Sequence, residues 1–225
     1  MSQQYGQSEH YLGERGQAYF QRQSQSGPLK GELEARKFAP YVRARDAVID
    51  FGCGGGFALA ALQCTRRIGV EPNPRAQTVA RENGIESYSS LAEVPDAVAD
   101  VAIINHALEH IPFPIEALRQ LKAKMRPGGR LIVCLPMEDW RVQSRYNPKD
   151  IPHHLHAWNP QVLGNTLVEA GFDVSPTSIG ILTHCFPPKF YPLLYRRLPL
   201  FVFNCLCRLC AVVLRRRQLV AVVEA

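Results

Sequence analysis

The sequence predicts an α/β domain, in which a mostly parallel sheet carries helices on both of its faces. The chain of 225 residues is long enough for one such domain with a full core. From Ala47 onward, short apolar runs alternate with segments of helical periodicity, and Gly, Pro or Asn stands at many of the boundaries. Because strands joined by a helix pair in parallel through right-handed crossovers, this alternation favours a layered α/β fold.

The segment before the first strand is polar. Residues 1–29 are rich in Gln, Ser and Gly, with a few aromatic residues between them. Two interpretations remain open: a loose arm, or a flap that closes over a ligand with Tyr19 or Phe20 against it. Residues 31–38 could form a short helix that leads into the sheet. The predicted divisions are an N-terminal arm with its lead-in helix, 1–40, and the main domain, 41–225.

The apolar runs give seven strands, and turn residues mark the helices between them. Asn73 is placed to cap a helix that has Pro74 at its first position and Gly84 beyond its end. Asn159 and Pro160 mark the start of a later helix in the same way. The predicted strands are 47–51, 67–71, 86–88, 101–105, 130–135, 173–179 and 218–224.

The most informative stretch is the turn after the first strand, Val48-Ile49-Asp50-Phe51-Gly52-Cys53-Gly54-Gly55-Gly56-Phe57. A buried strand that turns through glycines into a helix lets a nucleotide-like ligand approach bare backbone. Gly52 and Gly54 keep side chains away from that ligand and supply positive φ at little cost. A dinucleotide-binding G-x-G-x-x-G would need glycine where Phe57 stands, and its strand would not normally end in Asp50. A nicotinamide cofactor is therefore disfavoured.

An acidic residue followed by G-x-G-x-G, here Asp50, Gly52, Gly54 and Gly56, resembles motif I of the class I S-adenosylmethionine (SAM)-dependent methyltransferases. The resemblance implies a Rossmann-like sheet of seven strands in the order 3-2-1-4-5-7-6, with the last two strands forming an antiparallel pair. It also implies SAM as methyl donor and S-adenosylhomocysteine as product. Ligands of such open sheets bind beyond the carboxyl ends of the strands.

The same resemblance assigns the cofactor-binding residues. Glu71 stands 19 positions after Gly52, where an acid can accept bonds from both ribose hydroxyls, although a solvated carboxylate at a strand end is the alternative. The glycine turn would hold the amino-acid part, the loop after the third strand the adenine, and the loop after the fourth strand the methionine side. The predicted set is Asp50, Gly52, Cys53, Gly54, Glu71, Ser90, Asn105 and His106.

Histidines in two loops are the candidate catalytic residues. His110 ends the run Asn105-His106-Ala107-Leu108-Glu109-His110, and His154 lies in His153-His154-Leu155-His156-Ala157-Trp158. Histidine titrates near neutral pH and could take the proton of an acceptor hydroxyl, so these loops favour O-methylation. Trp158 could then wall the acceptor pocket against a sugar or a ring. The alternative is that both loops only cap and pack. No flanking acid or cysteine completes a metal site in the second loop, so none is predicted.

Charge is concentrated in one apolar segment near the end of the chain. The chain has a net charge of +6. The segment 186–217 contains seven basic residues and no acidic residue, so the rest of the chain is close to neutral. A nucleic-acid partner is not expected, because basic residues would then cover a face of the domain. The segment is short for a transmembrane helix. Two interpretations remain open. The segment is either an insertion that packs on the domain or forms a dimer contact, or an interfacial element that binds anionic lipid.

The expected activity is methyl transfer to a small molecule. The run from Tyr11 to Phe20, with the histidine loop, also resembles small methyltransferases of surface-polysaccharide biosynthesis, which implies a sugar or lipid-linked glycan acceptor. A methyltransferase-like scaffold without turnover and a nicotinamide-dependent oxidoreductase remain as alternatives. Seven cysteines without zinc-ribbon spacing, and an N-terminus without an apolar signal region, lead us to expect a cytoplasmic protein, with peripheral membrane attachment as the variant.

Overall fold

The computed structural model describes residues 6, 9–24, 27–137, 145–148, 150, 152–186 and 191–225. Its centre is one seven-stranded sheet in the order β3-β2-β1-β4-β5-β7-β6, which confirms the predicted order. The pairs that β1 forms with β2 and β4 are parallel, and β7 is antiparallel to both β5 and β6. The strands are β1 Ala47–Phe51, β2 Arg66–Val70, β3 Glu86–Tyr88, β4 Ala99–Asn105, β5 Met125–Met137, β6 Ile179–Leu182 and β7 Arg217–Glu224.

Helices cover the sheet, and two of them begin as their sequences predict. The Asn73 side chain accepts hydrogen bonds from two backbone N–H groups of the first turn of its helix, and the Asn159 side chain accepts one. Proline occupies the first turn after each cap, where its missing N–H costs nothing. The helices are α1 Gly13–Ser24, α2 Gly27–Ala35, α3 Phe57–Ala60, α4 Pro74–Glu82, α5 Pro114–Lys124, α6 Pro160–Glu169, α7 Tyr191–Arg197 and α8 Leu200–Val213.

The core lies on both faces of the sheet. Alternate residues of a strand point to opposite faces, so Val48 and Ile49 of β1 belong to different apolar clusters. Val48 lies in a cluster with Phe38 and Leu59, while Ile49 lies in a larger cluster with Leu118. Because β1 is central and fully buried, the turn that follows it is held by a rigid support.

Strand six is displaced from its predicted position. Residues 173–179 were expected to form it, but β6 is Ile179–Leu182, and Asp173 makes only an isolated antiparallel bridge with Glu224. Pro176 has no N–H to donate to a strand partner, and Ser178 donates its N–H to the carbonyl of Ser175 in a local turn. The prediction was therefore wrong because the turn chemistry of this stretch outweighs its apolar alternation.

The N-terminal segment is helical, and the interpretation as a loose arm is wrong for residues 13–24. Within α1, Phe20 is 5% exposed and Gly16 is buried. A Cβ on Gly16 would lie 1.9 Å from the carbonyl oxygen of Tyr11, so the chain is tightly folded at this point. Burial of Phe20 holds this segment against the domain, although its polar composition did not predict a packed helix. The side chain of Tyr19 lies outside the described part of the structure.

The apolar basic segment packs on the domain through one face. Phe203 and Cys207 of α8 form a small core with Leu33 of α2. In the part of the chain that the structure describes, no helix has both the length and the hydropathy needed to cross a membrane. The packing interpretation is thus supported for one side of α8, while its opposite side is exposed.

Candidate functional site

The glycine turn between β1 and α3 has the geometry that its sequence requires. Gly52, Gly54 and Gly56 have φ of 82°, 53° and 72°, in the region that favours glycine. The N–H groups of Gly52 and Cys53 both donate to the carbonyl of Val70, at 2.8 and 3.2 Å. This carbonyl ends β2, so the turn is anchored to the neighbouring strand.

The Glu71 carboxylate is joined to that turn. Its Oε2 accepts a hydrogen bond from the Gly54 N–H at 3.0 Å, and its Oε1 accepts one from the Asn73 N–H at 3.0 Å. Burial raises the pKa of Glu71, and these two backbone donors partly offset the rise. The carboxylate is therefore held in one orientation by two donors, with further lone pairs left on each oxygen.

Asp50 is buried behind the turn at the end of β1. Its Oδ1 has no hydrogen-bond partner among the described residues, and the residue is 3% exposed. Burial, with a further contribution from the negative charge of Glu71, raises the pKa of Asp50 to about 7. Two carboxyl groups thus lie close together at the base of the site, and they resist ionising together.

A cavity of about 810 Å³ opens beside the glycine turn. It contacts both loops that the sequence singled out, since the loop after β4 and the histidine loop each contribute to its wall. Asp50, Glu71 and Ser90 do not line it. Ser90 instead precedes a short 3-10 turn, Leu91–Glu93. The predicted residues that line the cavity are Gly52, Cys53, Gly54, Asn105, His106, His110 and His154.

The N-terminal helices form one wall of this cavity. Phe20 of α1 lines it, as the flap interpretation expects. Gly27 and Gly31 of α2 lie so close to Phe57 that a Cβ on either would be 2.5 Å from that side chain. Small residues on α2 therefore allow the helix to approach the glycine turn closely, so the segment before β1 is part of the site.

A buried polar network, which the sequence analysis missed, holds the loop after β4. Lys37 forms a salt bridge with Glu34 and donates to Gln218 Oε1 at 2.9 Å, and Asn105 Nδ2 donates to Glu34 at 3.1 Å. Burial would raise the pKa of Glu34, but Lys37 opposes this and lowers it to about 2. The i, i+3 spacing of Glu34 and Lys37 within the predicted lead-in helix was the available signal.

The candidate catalytic histidines, His110 and His154, lie near the buried carboxylate of Glu109, which also neighbours His106. Glu109 is fully buried, and its Oε1 lies 3.6 Å from His106 Nδ1 and 3.8 Å from His110 Nε2. The rings of His110 and His154 are 4.9 Å apart between their centroids. The sequence placed His154 in a different loop, and backbone bonds from Leu155 and His156 to the Glu109 carbonyl bring the loops together.

Tyr11 joins the N-terminal segment to this histidine pair. Its hydroxyl lies 2.7 Å from His110 Nδ1 and donates to the carbonyl of Pro152. We assign the hydroxyl proton to the bond with Pro152, so that Nδ1 of a neutral His110 is the protonated nitrogen and Nε2 carries the lone pair. Nothing in the local sequence of Tyr11 marks this role, since the contact spans 99 residues.

The pKa values of two neighbouring histidines, His106 and His110, are shifted in opposite directions. Burial lowers the pKa of His110 to about 4, with Glu109 opposing the effect and His154 adding to it. Burial would also lower the pKa of His106, but the neighbouring Cys134 and Glu109 side chains raise it to about 9. At neutral pH His110 is uncharged and His106 is cationic, which leaves His110 able to accept a proton.

The remaining residues of the histidine loop have structural contacts. His153 stacks on His10 with ring centroids 4.3 Å apart, and His156 Nε2 lies 2.9 Å from the carbonyl oxygen of Ile111. Trp158 is 3% exposed and belongs to the main core. The interpretation of Trp158 as a wall of the acceptor pocket is wrong, because its large apolar ring is buried beneath the loop.

Comparison with known proteins identifies the family to which this turn and sheet belong. Residues 20–176, more than half of the chain, match a family model described as a methyltransferase domain. The chain belongs to this methyltransferase family. The chain resembles a probable SAM-dependent methyltransferase of Mycobacterium tuberculosis (strain CDC 1551 / Oshkosh), with 28% identity over 144 residues that cover 61% of this chain and 52% of that protein.

A second relative and a solved structure agree with this assignment. The chain is 33% identical over 101 residues to the ubiquinone biosynthesis O-methyltransferase of Aeromonas salmonicida (strain A449), and the match covers 38% of this chain and 41% of that protein. It thus spans about half the length of the curated relatives it matches. A SAM-dependent methyltransferase of Thermotoga maritima, described as a possible histamine N-methyltransferase, superposes with a TM-score of 0.66 at 18% identity, over 96% and 99% of the two chains. That likeness concerns the fold.

The resemblance to the class I methyltransferases is thereby confirmed, and the local geometry fits SAM as the cofactor. A Cβ on Gly52 would lie 2.5 Å from that of Ala107, so the close approach of backbone at this point depends on glycine. The Glu71 carboxylate and the orphan oxygen of Asp50 offer polar groups around the same turn. To bind a nucleoside with a charged amino-acid arm, a protein needs a glycine turn, an oriented acid and an adjoining cavity. All three are present here.

Proposed function

We propose that this methyltransferase transfers a methyl group to a hydroxyl oxygen of a small polar acceptor, with a sugar or lipid-linked glycan as the acceptor class. The observation that carries the proposal is a single cavity that joins the glycine turn to the neutral histidine His110. A hydroxyl must lose its proton during transfer, whereas a neutral amine needs no base before attack. The uncharged buried imidazole therefore favours oxygen as the acceptor atom.

The residues of the turn would hold the cofactor. Gly52, Cys53 and Gly54 would contact its amino-acid arm, and Glu71 would accept the ribose hydroxyls through its remaining lone pairs. When bound, SAM supplies a sulfonium methyl group, so that one O–C bond forms, one S–C bond breaks and S-adenosylhomocysteine remains. Because the methyl donor is already activated, the main contribution of the chain is to align the acceptor.

His110 would take the hydroxyl proton. Its Nδ1 is held by Tyr11, so its Nε2 lone pair is the acceptor, and Glu109 at 3.8 Å stabilises the imidazolium that forms. His154, with its ring next to His110, would position the acceptor or share the proton. The preference for a sugar rests on the polar lining, which includes Lys30 and Asp150.

The test is transfer of radiolabelled methyl from SAM to a panel of nucleotide sugars, glycolipids, phenols and amines. We expect labelled methyl ether on a sugar hydroxyl, reduced at least about tenfold in His110→Ala. His184→Ala is the matched control, because His184 lines the same cavity without contacting Glu109 in any described ion pair. Labelling of amines alone would contradict the oxygen acceptor. Binding of SAM without transfer to any acceptor would favour the non-catalytic scaffold.

We also propose that α8 attaches the protein to an anionic membrane surface, which would suit a lipid-linked acceptor. The face of α8 opposite α2 exposes Phe201 at 71%, Leu209 at 60% and Val213 at 71%. Exposed arginines surround this face, and the segment contains no acid. Apolar side chains flanked by basic ones are typical of interfacial helices. The arginines that the structure describes there are Arg196, Arg197, Arg208, Arg215, Arg216 and Arg217; Lys189 lies outside the described residues.

Vesicle co-sedimentation tests the membrane proposal. We expect binding to vesicles of mixed phosphatidylcholine and phosphatidylglycerol, weakened by salt and by Phe201→Ser with Val213→Ser. Val168→Ser on α6 is the control, since Val168 is also an exposed valine, at 58%. Equal binding of the double variant, or a concentration-dependent dimer that the double variant abolishes, would instead assign the face to a protein contact.

A further inference from the structure

The buried carboxylate of Glu109 lies against two histidines from separate loops. One ligand atom from each of Glu109, His110 and His154 lies within 4.8 Å of the other two. We propose that these three residues bind a divalent transition-metal ion of the zinc type at the wall of the cavity. The donors come from the 3-10 turn after β4 and from the histidine loop, so the sequence alone did not bring the acid to the histidines.

The state of Glu109 is the observation that points to a ligand. Both of its carboxylate oxygens are buried and have no hydrogen-bond partner among the described residues. A buried polar atom without a partner is costly, so such atoms normally mark an ion, a water or a bound group. The neighbouring imidazole nitrogens, at 3.6 and 3.8 Å from Oε1, are too distant for good hydrogen bonds. An ion between these donors would satisfy the carboxylate.

The hydrogen bonds of His110 prepare it as a ligand. Tyr11 occupies Nδ1, which leaves Nε2 unprotonated on the side that faces Glu109. Metal-bound histidines generally have their second nitrogen held by an oxygen in this way, because the bond fixes the ring and the tautomer. Tyr11 and the Pro152 carbonyl therefore form an outer shell for the ion.

The donor set indicates the class of metal. Two imidazoles with one carboxylate match catalytic zinc sites, which keep further positions open for a water or substrate. Imidazole favours Zn²⁺ and Co²⁺ over Mg²⁺ or Ca²⁺, which prefer oxygen donors. All three side chains line the cavity, so the open positions face the space available to an acceptor.

An ion in this place would change how the acceptor loses its proton; this step rests on the proposed function. A hydroxyl bound to a divalent cation loses its proton more readily, because the cation stabilises the alkoxide. The proton passes to solvent, the oxygen lone pair forms the O–C bond, and the S–C electron pair stays on sulfur. The ion keeps its oxidation state. His110 and His154 then act as ligands, and the ion replaces His110 as the agent of deprotonation.

The experiment is titration of the chelator-treated full chain with Co²⁺, a spectroscopic substitute for Zn²⁺. We expect one Co²⁺ per chain with visible d–d absorption, displaced by Zn²⁺ and lost in both Glu109→Gln and His154→Ala. His184→Ala, which changes a histidine of the same cavity outside the cluster, should bind Co²⁺ as the parent chain does. His154 lies in a loop, so His154→Ala tests the site even if Glu109→Gln fails to fold.

Binding of S-adenosylhomocysteine is measured on the same samples. Parent protein that binds S-adenosylhomocysteine but gives no Co²⁺ absorption overturns the metal site and leaves the proposed methyl transfer standing with His110 as base. Equal loss of Co²⁺ in His184→Ala and His154→Ala also overturns it, because binding would then be nonspecific. Failure to bind S-adenosylhomocysteine contradicts the proposed function instead.

Discussion

The Glu71 carboxylate accepts a hydrogen bond from the backbone N–H of Gly54 at 3.0 Å, which links the end of β2 to the glycine turn after β1. The acid assigned to the ribose is thus oriented by the loop assigned to the amino-acid arm. Asn73 donates to the other oxygen of the same carboxylate and also caps α4. Three elements therefore meet at one carboxylate and hold it in one orientation, which would preform the proposed cofactor site.

Gly52→Ala should damage both the fold and cofactor binding. Its φ of 82° disfavours any side chain, and its Cβ would lie 2.5 Å from that of Ala107. Gly84→Ala is the control, because Gly84 has a φ of 77° but open space around its Cβ. Urea unfolding should show a loss of about 1–2 kcal/mol for Gly84→Ala and a larger one for Gly52→Ala. Equal losses would mean that the contact with Ala107 relaxes freely.

Glu34→Gln should destabilise the protein because it leaves the Lys37 ammonium buried without its counter-charge. Removal of one partner of a buried ion pair costs about 3–5 kcal/mol. Glu34→Gln with Lys37→Met should recover part of this loss, since no buried charge then remains. Urea unfolding of the three variants measures the effect. A double variant less stable than Glu34→Gln would show that Lys37 acts chiefly through Gln218 and Asn105.

Asp50→Asn should alter how stability depends on pH. The pKa of Asp50 is about 7 in the folded chain and near its ordinary value, 3.8, when unfolded. Between these values the folded state binds more protons, so this group makes the free energy of unfolding fall as pH rises. The difference in stability between Asp50→Asn and the parent chain should therefore move in favour of Asn from pH 4 to pH 7. A constant difference would contradict the raised pKa.

Tyr11→Phe should lower kcat for methyl transfer more than it weakens SAM binding. It removes the oxygen that holds His110 Nδ1 and leaves the loop carbonyl of Pro152 without its donor. We expect kcat to fall about 10²-fold, the lower range for a general base. Tyr146→Phe is the control, because Tyr146 is 91% exposed. An unchanged kcat with an unchanged pH profile would separate Tyr11 from the chemistry.

The sequence predicted those parts of the fold that depend on interactions between residues close together in the chain. The first strand, Ala47–Phe51, the glycine turn and the Asn73 cap each follow from a few consecutive residues. Strand β6 was misplaced because a turn at Pro176 competes with alternation. The contact of Tyr11 with His110 and the meeting of Glu109 with His154 could not be predicted, since tertiary packing joins residues far apart in sequence.

The central claim is that SAM binds beside the glycine turn with Glu71 on its ribose. Calorimetric titration with S-adenosylhomocysteine tests it most directly, in the parent chain, in Glu71→Ala and in Glu169→Ala, a control acid at the end of α6 that pairs with Arg119. The account predicts micromolar binding, weakened at least about tenfold in Glu71→Ala, as for a lost hydrogen bond to a charged group, and kept in Glu169→Ala. Absence of binding to the folded parent chain, or equal affinity in Glu71→Ala, would contradict it.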